Sequence, residues 1–176
     1  LQRCSVTTIW LTASTYGRPI YERNGFRSCD QVRRWERPGA GKVPAGMAAQ
    51  VRQGWQEIDY LGWGDARDEL LAYAAAGGMV VAEEEGFLML QQLGDGNQIG
   101  PFGALNSGTA GSLLDRVLAW GGRVLLDVPA ANRAASKLLT SKGFTVNSEV
   151  ELMYAGQPPA YHPEHIFGLA SLGSMG

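Results

Sequence analysis

The most regular pattern of apolar and polar positions spans residues 98–144. The apolar run IGPFGAL predicts a strand, and the leucine and valine side chains of Leu113–Leu118 then recur at helical spacing. The run RVLLDV predicts a second strand, covered on both faces, and a second helical pattern ends at Gly143. This strand–helix–strand–helix order predicts an α/β fold with parallel strands joined by crossover helices, whose open ends face a cleft.

Two glycines, Gly108 and Gly111, lie where the first of these helices begins. Free backbone N–H groups at a helix N-terminus can hold an anion such as a pyrophosphate, because they have no partner within the helix. Alternatively, small residues at a strand–helix turn allow close packing. The turn lacks the Gly-Lys-Ser/Thr ending of a P-loop and the six-residue dinucleotide fingerprint, so it does not specify a nucleotide.

Further elements are predicted before this region. Residues 7–14 predict a strand, and residues 15–25 predict a short helix that stops at Gly25. Residues 26–36 predict an exposed or edge strand, because polar residues interleave with apolar ones. Residues 37–46 combine Pro and Gly with few large apolar residues, which predicts a linker.

The remaining segments predict more of a mixed sheet. Residues 47–78 predict a strand followed by one or two helices, with Asp65 as an N-cap. Residues 79–105 predict an antiparallel meander that turns at the charged EEEG segment and at an Asp-Gly-Asn signal. A strand or strand pair is expected at 145–156, and the Pro- and Gly-rich tail at 157–176 is expected to lie along the surface.

The segment TIWLTASTYGRPIYERNGF resembles VLLDVPAANRAASKLLTSKGF in order, polarity and ending. The offset between Gly25 and Gly143 is 118 residues, which suits a duplicated domain. Because the first copy has only 24 residues before Gly25, we interpret residues 1–36 as the end of one domain and 47–156 as a whole second domain. The alternative is chance similarity between two strand–helix units.

Composition narrows the possible functions. The chain is 45% hydrophobic and 18% charged, as in ordinary globular proteins, and its net charge of −2 argues against nucleic acid as a partner. No apolar run approaches the roughly 18 residues that span a membrane. The N-terminal LQRCSVTTIW lacks a signal-peptide layout, so we expect a cytoplasmic location.

Two elements resemble the GNAT superfamily of acyl-CoA-dependent N-acyltransferases. The family's Asn-x-x-Ala-x-x-Phe-Tyr element, followed by Gly-Phe, is matched by Asn132, Ala135, Leu138, Leu139, Gly143 and Phe144, and in the first copy by Ser14, Gly17, Ile20, Tyr21, Gly25 and Phe26. The family's pyrophosphate loop, Gln/Arg-x-x-Gly-x-Gly/Ala followed by Leu-Leu, is matched by Leu105, Gly108, Ala110, Leu113 and Leu114. The chain therefore looks like a tandem-domain bacterial acetyltransferase truncated at its N-terminus.

The resemblance implies a GNAT-like mixed sheet that is splayed into a V, with acetyl-CoA in the opening. The pantetheine arm would pair with the strand near Gly100–Ala104, and the pyrophosphate would lie over backbone amides at the helix N-terminus. The cofactor-binding residues that it implies are Ala104, Leu105, Ser107, Gly108, Thr109, Ala110, Gly111 and Asn132.

The departures from the family pattern leave two functional hypotheses. Leu105 replaces the usual Gln or Arg, and Leu139 replaces the Tyr that protonates the CoA thiolate. Tyr21 retains that position in the first copy, and Tyr154 is a second candidate acid, although a late-strand aromatic is often a core residue. The parent protein is thus expected to transfer an acetyl group to a small-molecule amine. Alternatively, 47–156 is a degenerate module that binds a ligand or stabilises a tandem partner.

Other candidates have simpler structural readings. The carboxylates at 83–85 could supply a base, but a charged turn is usually solvated. His162 and His165 flank Pro163, which breaks the helix that would align them, so no metal site is expected. Asp127, within an apolar strand, is expected to be hydrogen-bonded. Residues 1–36 are expected to dock on the second domain or to mediate a homodimer, because a severed strand–helix unit exposes apolar faces and strand edges.

Overall fold

The computed structural model describes residues 6–39, 54–94 and 96–171, and the helices and strands below belong to these ranges. The strands are β1 (Thr8–Ala13), β2 (Arg27–Arg37), β3 (Gly78–Glu83), β4 (Gly86–Leu93), β5 (Gly96–Ala104), β6 (Val124–Pro129), β7 (Thr145–Gly156) and β8 (Ile166–Gly168). The helices are α1 (Arg18–Arg23), α2 (Trp55–Trp63), α3 (Asp68–Gly77), α4 (Ser107–Leu118) and α5 (Arg133–Ser141). Most of the predicted linker, the strand expected early in 47–78 and Asp95 lie outside the described residues.

The strands form one mixed sheet in the order β1-β7-β2-β6-β5-β4-β3. The short strand β8 also pairs with β5 but is not part of this order. The predicted meander is confirmed as β3, β4 and β5, which pair antiparallel in sequence order. The predicted parallel pair is also confirmed, because β5 runs parallel to β6 and α4 crosses between them. None of the described helices has the length and apolarity that crossing a bilayer requires.

Helices cover both faces of the sheet, because successive strand residues point to opposite sides. One face packs against α4 and α5 through the apolar side chains of Leu88, Leu90, Ile99, Leu113, Leu114, Val117, Leu126 and Leu139. The other face packs against α2 and α3 through those of Ile58, Leu71, Val80, Phe87 and Met89. This two-sided burial explains why consecutive residues of β4, β5 and β6 are buried and why β4 and β6 contain the apolar runs FLML and VLL.

Residues 118 positions apart make matching contacts at the starts of α1 and α5. Ser14 Oγ accepts a hydrogen bond from the Gly17 amide, and Asn132 Oδ1 accepts one from Ala135. Both helices end at a left-handed glycine, Gly25 with φ of 86° and Gly143 with φ of 81°. The chain therefore turns in the same way after α1 and after α5.

The central strand pair has a register with the same symmetry. Val32 of β2 lies opposite Val150 of β7, its own counterpart 118 positions later. Arg27 faces Tyr154, and their counterparts, Thr145 and Glu36, face each other. A pseudo-two-fold axis through Val32 and Val150 therefore relates β1 to β6 and β2 to β7.

Two expectations about residues 1–36 have clear outcomes. Docking of this segment on the rest of the chain is confirmed, because β1 pairs with β7 and β2 pairs with both β7 and β6. The expectation that β2 is an edge strand is wrong. Its charged side chains form ion pairs with the neighbouring strands on both sides. Arg33 Nε lies 2.7 Å from Glu149 Oε2 of β7, and Arg34 Nε lies 2.8 Å from Asp127 Oδ1 of β6.

Two smaller expectations are also wrong. Arg67, not Asp65, precedes the first residue of α3, and its side chain binds Asp59 through two hydrogen bonds of 2.6 and 2.9 Å. The tail does not lie along the surface as a whole, because residues 157–165 are exposed or half-buried but the apolar run that follows them is buried. Ile166, Phe167 and Leu169 are each 2% exposed or less, because this apolar run enters the sheet as β8.

Candidate functional site

β5 and β6 diverge to form the V-shaped opening that the resemblance implies, and the tail of the chain fills this opening. The two strands pair only where Asn97–Ile99 lies beside Val124–Leu126. Beyond that point β8 runs antiparallel to β5, with Phe102 opposite Gly168. The Leu169 amide donates a 2.7 Å hydrogen bond to the Asp127 carbonyl at the end of β6. The tail therefore bridges the two diverging strands where a pantetheine arm was expected.

Asn132 lies at the N-terminus of α5, is 2% exposed, and bonds this tail. Its Oδ1 accepts a hydrogen bond from Ala135 N at 2.9 Å, which caps the helix. Its Nδ2 donates to the Ile166 carbonyl at 3.0 Å and, at 3.4 Å, to the Glu164 carbonyl. The amide that the resemblance assigned to the cofactor arm is thus committed to the chain itself.

Glycine permits the close approach of the tail to β5. A Cβ on Gly100 would overlap the Leu169 carbonyl oxygen, and a Cβ on Gly168 would lie 3.2 Å from the Ile99 carbonyl oxygen. Nearby, Gln91 Nε2 donates to the Gly100 carbonyl and, at 3.3 Å, to the Ala170 carbonyl. The two backbones therefore fit each other closely enough to leave no width for another chain between them.

The N-terminus of α4 is capped by side chains rather than open. Asn106 Oδ1 accepts a 2.9 Å hydrogen bond from Thr109 N, and Asn106 Nδ2 donates to Glu85 Oε2 at 2.7 Å. The Thr109 hydroxyl also lies 3.3 Å from Glu85 Oε2. A carboxylate at a helix N-terminus interacts favourably with the helix dipole and repels a second anion. The Glu85 carboxylate therefore places a negative charge at the helix N-terminus where a pyrophosphate was expected.

The other predicted cofactor residues divide into buried and exposed ones. Ala104 and Ala110 are fully buried, and Ala110 packs in the core between α4 and the sheet. Ser107 and Gly108 are exposed, and Leu105 is 40% exposed. Position 108 faces the Asn106 carboxamide, since a Cβ there would lie 3.1 Å from Oδ1. Gly111 faces α5, with 3.6 Å between a Cβ placed there and Leu138 Cδ1.

The two catalytic candidates lie on other elements. Tyr21, 36% exposed on α1, stacks edge-on against Phe26 with 5.7 Å between ring centroids. Tyr154 of β7 lies under the Arg27 guanidinium, 5.0 Å from its ring centroid, and 6.2 Å from Trp10. Leu139, the counterpart of Tyr21, is 2% exposed in the core. The aromatic contacts of the two tyrosines are thus with Trp10, Phe26 and Arg27.

A cavity of about 660 Å³ beside β1 was not anticipated from the sequence. It is lined by Thr8 and Trp10 of β1 and by the segment 65–70 between α2 and α3. Trp10 also packs against Trp63, with 5.5 Å between ring centroids. The aromatic residues spaced along this part of the chain were the available signal, because they could line a pocket as well as fill the core.

Two buried polar side chains near the tail, Tyr161 and Asp127, have hydrogen-bond partners. The Tyr161 hydroxyl donates a 2.9 Å hydrogen bond to Asp30 Oδ2. Burial raises the pKa of Tyr161 well above its usual value, and the Asp30 charge adds to this effect. Asp127 is fully buried and binds Arg34 and Gln98, so its expected structural role is confirmed.

These features match known proteins over most of the chain. A family described as an acetyltransferase (GNAT) domain matches residues 56–168. The uncharacterized N-acetyltransferase YitH of Bacillus subtilis (strain 168) is 23% identical over 180 residues, covering 94% of this chain and 64% of that protein. A protein of Pyrococcus horikoshii considered to be an acetyltransferase has a TM-score of 0.81 at 24% identity, covering 97% of this chain and 61% of its own. A GCN5-related N-acetyltransferase from Sphaerobacter thermophilus has a TM-score of 0.51 at 16% identity, covering 92% and 62%.

This chain spans less than two thirds of the length of each of these relatives. The likeness to the solved structures concerns the fold, a mixed sheet with helices on both faces. The family match runs from within α2 to the last residue of β8, so β8 lies inside the matched region. With well over half of its residues matched, the chain belongs to the acetyltransferase (GNAT) domain family.

Proposed function

We propose that this chain is part of a two-domain N-acetyltransferase. Residues 1–36 are the end of a first GNAT-like domain, 37–46 a linker, and 47–156 a second domain that β8 completes. The contacts repeated 118 positions apart and the two-fold register of β2 and β7 support a duplication. The greater length of the relatives agrees with a longer parent protein.

Within this protein, the second domain is a non-catalytic module. The observation that carries this conclusion is β8, which pairs with β5 in the opening of the V. A pantetheine arm would need the same backbone groups on Gly103 and Phe102, and it would compete with a covalently attached strand. The Glu85 carboxylate at the start of α4 opposes a pyrophosphate there. The residues around this V therefore do not fit acetyl-CoA.

Acetyl transfer then belongs to the first domain. Acetyl-CoA supplies the acyl thioester, and the acceptor is a small-molecule amine. Tyr21 is the proton donor that we assign to this domain, because its position on α1 matches that of Leu139 on α5, where a proton cannot be transferred. Tyr154, held under Arg27, serves packing instead. The protein works in the cytoplasm without nucleic acid or membrane partners.

Calorimetric titration of residues 1–176 with acetyl-CoA and with CoA tests the closed module. We expect no saturable binding up to about 1 mM cofactor, because the V is filled and the helix N-terminus carries a carboxylate. Glu85→Gln removes the carboxylate charge but leaves the V filled, so it is the control that separates the effect of the charge from that of the tail. Saturable binding by the unaltered chain, accompanied by faster amide exchange at Ile166–Leu169, would show that the cofactor displaces the tail and would refute the proposal.

Steady-state kinetics of the natural protein with acetyl-CoA and a panel of small amines tests the assignment of the acid. Tyr21→Phe is expected to lower kcat by about 10²–10⁴-fold and to remove the alkaline limb of its pH profile, with the KM for acetyl-CoA little changed. Tyr154→Phe and Tyr16→Phe, the latter at a 93% exposed position before α1, are expected to leave kcat unchanged. A larger loss in Tyr154→Phe would place the acid in the second copy.

A further inference from the structure

The cavity of about 660 Å³ beside β1 lies between that strand and the segment 65–70, which leads from α2 into α3. A second cavity, of about 370 Å³, shares Trp10 and Asp65 with it. The V is bounded by other strands, β5, β6 and β8. The larger cavity is within the range of about 300–1,000 Å³ that is typical of small-molecule sites. We call it the β1 cavity.

An aromatic ring forms one wall of the β1 cavity. Trp10 lines both cavities, and its ring packs against Trp63 and Tyr154 with centroid distances of 5.5 and 6.2 Å. The Arg67 guanidinium lies over the Trp63 ring, 4.2 Å from its centroid. The Arg27 guanidinium lies over the Tyr154 ring at 5.0 Å. Trp10 therefore belongs to a cluster whose other rings already bind cations, and its packing fixes its orientation before a ligand arrives.

The β1 cavity also has an excess of negative charge. Asp65, Asp68 and Glu69 line it, and all three are exposed. Within the described residues, none of these three side chains has a hydrogen bond or an ion pair. Arg67, also in the lining, is held by Asp59 through hydrogen bonds of 2.6 and 2.9 Å, so its charge is compensated. The dipole of α3 accounts for acidic residues in its first turn but not for Asp65, which precedes the helix.

We propose that the β1 cavity binds an aliphatic diamine, with one ammonium group against the Trp10 ring and among the carboxylates of Asp65 and Glu69. An ammonium ion is attracted both by an aromatic face and by unpaired carboxylates, whereas these carboxylates repel an anion. Three carboxylates exceed the charge of one ammonium group, which favours a ligand that carries two. This inference goes beyond the proposed function, because it does not depend on which copy transfers the acetyl group.

A ligand in the β1 cavity contacts two separate parts of the chain. Trp10 lies in residues 1–36, and the carboxylates lie in residues 47–156. Because this arrangement exists only in the folded chain, binding stabilises the fold by mass action. A diamine at about ten times its Kd is therefore expected to raise the Tm of residues 1–176 by about 3–6 °C. An unchanged Tm at that concentration would contradict the proposal.

Calorimetric titration of residues 1–176 with 1,4-diaminobutane at neutral pH and low ionic strength tests the ligand class. We expect saturable binding with a Kd below about 1 mM. The control is 1,4-butanediol, which has the same carbon chain without the charges, and it is expected to bind at least about tenfold more weakly. A diamine that does not saturate by about 10 mM would overturn the proposal. Equal binding of the diol would also overturn it.

Two glutamates provide a matched pair of variants. Glu69→Gln and Glu84→Gln each replace an exposed carboxylate by an amide of nearly the same shape, but Glu84 lies in the turn between β3 and β4. We expect Glu69→Gln to raise the Kd of the diamine at least about fivefold and Glu84→Gln to leave it unchanged. Asp65→Asn should behave like Glu69→Gln. Equal Kd values in all three variants would refute the site, because binding would then reflect only the net charge of the chain.

Nuclear magnetic resonance locates the bound diamine. The assigned indole N–H signal of Trp10 is expected to shift with the Kd that calorimetry gives, while that of Trp120, which packs against the core beside α4, stays in place. Saturable shifts that leave Trp10 unaffected would overturn the proposal. None of these measurements involves acetyl-CoA, so their failure is distinguishable from a positive titration of the closed V.

Discussion

Two asparagine caps provide a matched test of whether the tail is held in the V by Asn132. Asn106 caps α4 and Asn132 caps α5, each by accepting a 2.9 Å hydrogen bond from the amide three residues later. They differ in surroundings, since Asn106 is exposed and Asn132 is 2% exposed. Only Asn132 also donates to the tail, at the Ile166 carbonyl. Replacement by alanine therefore removes a helix cap in both variants, but only Asn132→Ala also removes a hydrogen bond to the tail.

The expected free-energy losses follow from these contacts. Loss of an exposed cap costs about 1 kcal/mol, and the hydrogen bond from Asn106 to the exposed Glu85 carboxylate adds little because water replaces it, so about 1 kcal/mol is expected for Asn106→Ala. Asn132→Ala loses a similar cap and also leaves the buried Ile166 carbonyl without this donor, at a further cost of about 1–3 kcal/mol. The total of about 2–4 kcal/mol is smaller than the stability of a typical domain, about 5–15 kcal/mol, so both variants should fold.

Urea unfolding of residues 1–176 measures the difference. With a slope of roughly 2 kcal/mol/M, Asn132→Ala is expected to unfold at a midpoint about 0.5–1.5 M below that of Asn106→Ala. Amide exchange should also accelerate at 163–171 in Asn132→Ala alone. Equal midpoints with unchanged exchange in the tail would show that Asn132 does not hold β8, and the closed V would then need another explanation.

Two further substitutions test buried polar pairs. Asp127→Ala leaves Arg34 without its buried partner, and we expect it to lower the free energy of unfolding in urea by about 3 kcal/mol. Asp115→Ala removes an exposed ion pair and is expected to cost about 1 kcal/mol or less. Equal losses in the two variants would contradict the argument. Because the folded-state pKa of Tyr161 is raised, its stabilising contribution is complete below the usual value of 10.0 and is lost as the pH rises above it. Unfolding free energies between pH 8 and pH 11 should therefore converge for the natural chain and Tyr161→Phe, and a constant difference would refute this linkage.

Local pattern was sufficient to predict the elements around the V. The apolar spacing in Leu113–Leu118 predicts the face of α4 that is buried, and the run RVLLDV predicts β6. The matched endings at Gly25 and Gly143 predicted a shared turn, and both glycines have positive φ. These signals are local because helix periodicity and glycine conformation depend on residues within about one turn.

Long-range partners could not be predicted in the same way. Arg34 and Asp127 are 93 positions apart, so the sequence alone could not distinguish a charged interior strand from an exposed edge strand. The run IFGLA resembled a surface tail because Pro158, Pro159 and Pro163 precede it. Its apolar character was the available signal, but the V that receives it is built from β5 and β6, at least 37 residues earlier in the chain.

In the two-domain protein proposed above, residues 1–36 and 47–156 are two copies of one domain that exchange their final strands, and this exchange gives a reason to retain a copy whose V is filled. β2, from the first copy, lies between β7 and β6, and β7 of the second copy lies between β1 and β2. Separating the copies would expose Val32 and Leu152, both fully buried, together with every backbone hydrogen bond of the β2–β7 pair. Cofactor binding by the second copy contributes nothing to this interface. Its V can therefore be filled by β8 without loss to the first copy, provided that β7 and the face around Val150 persist.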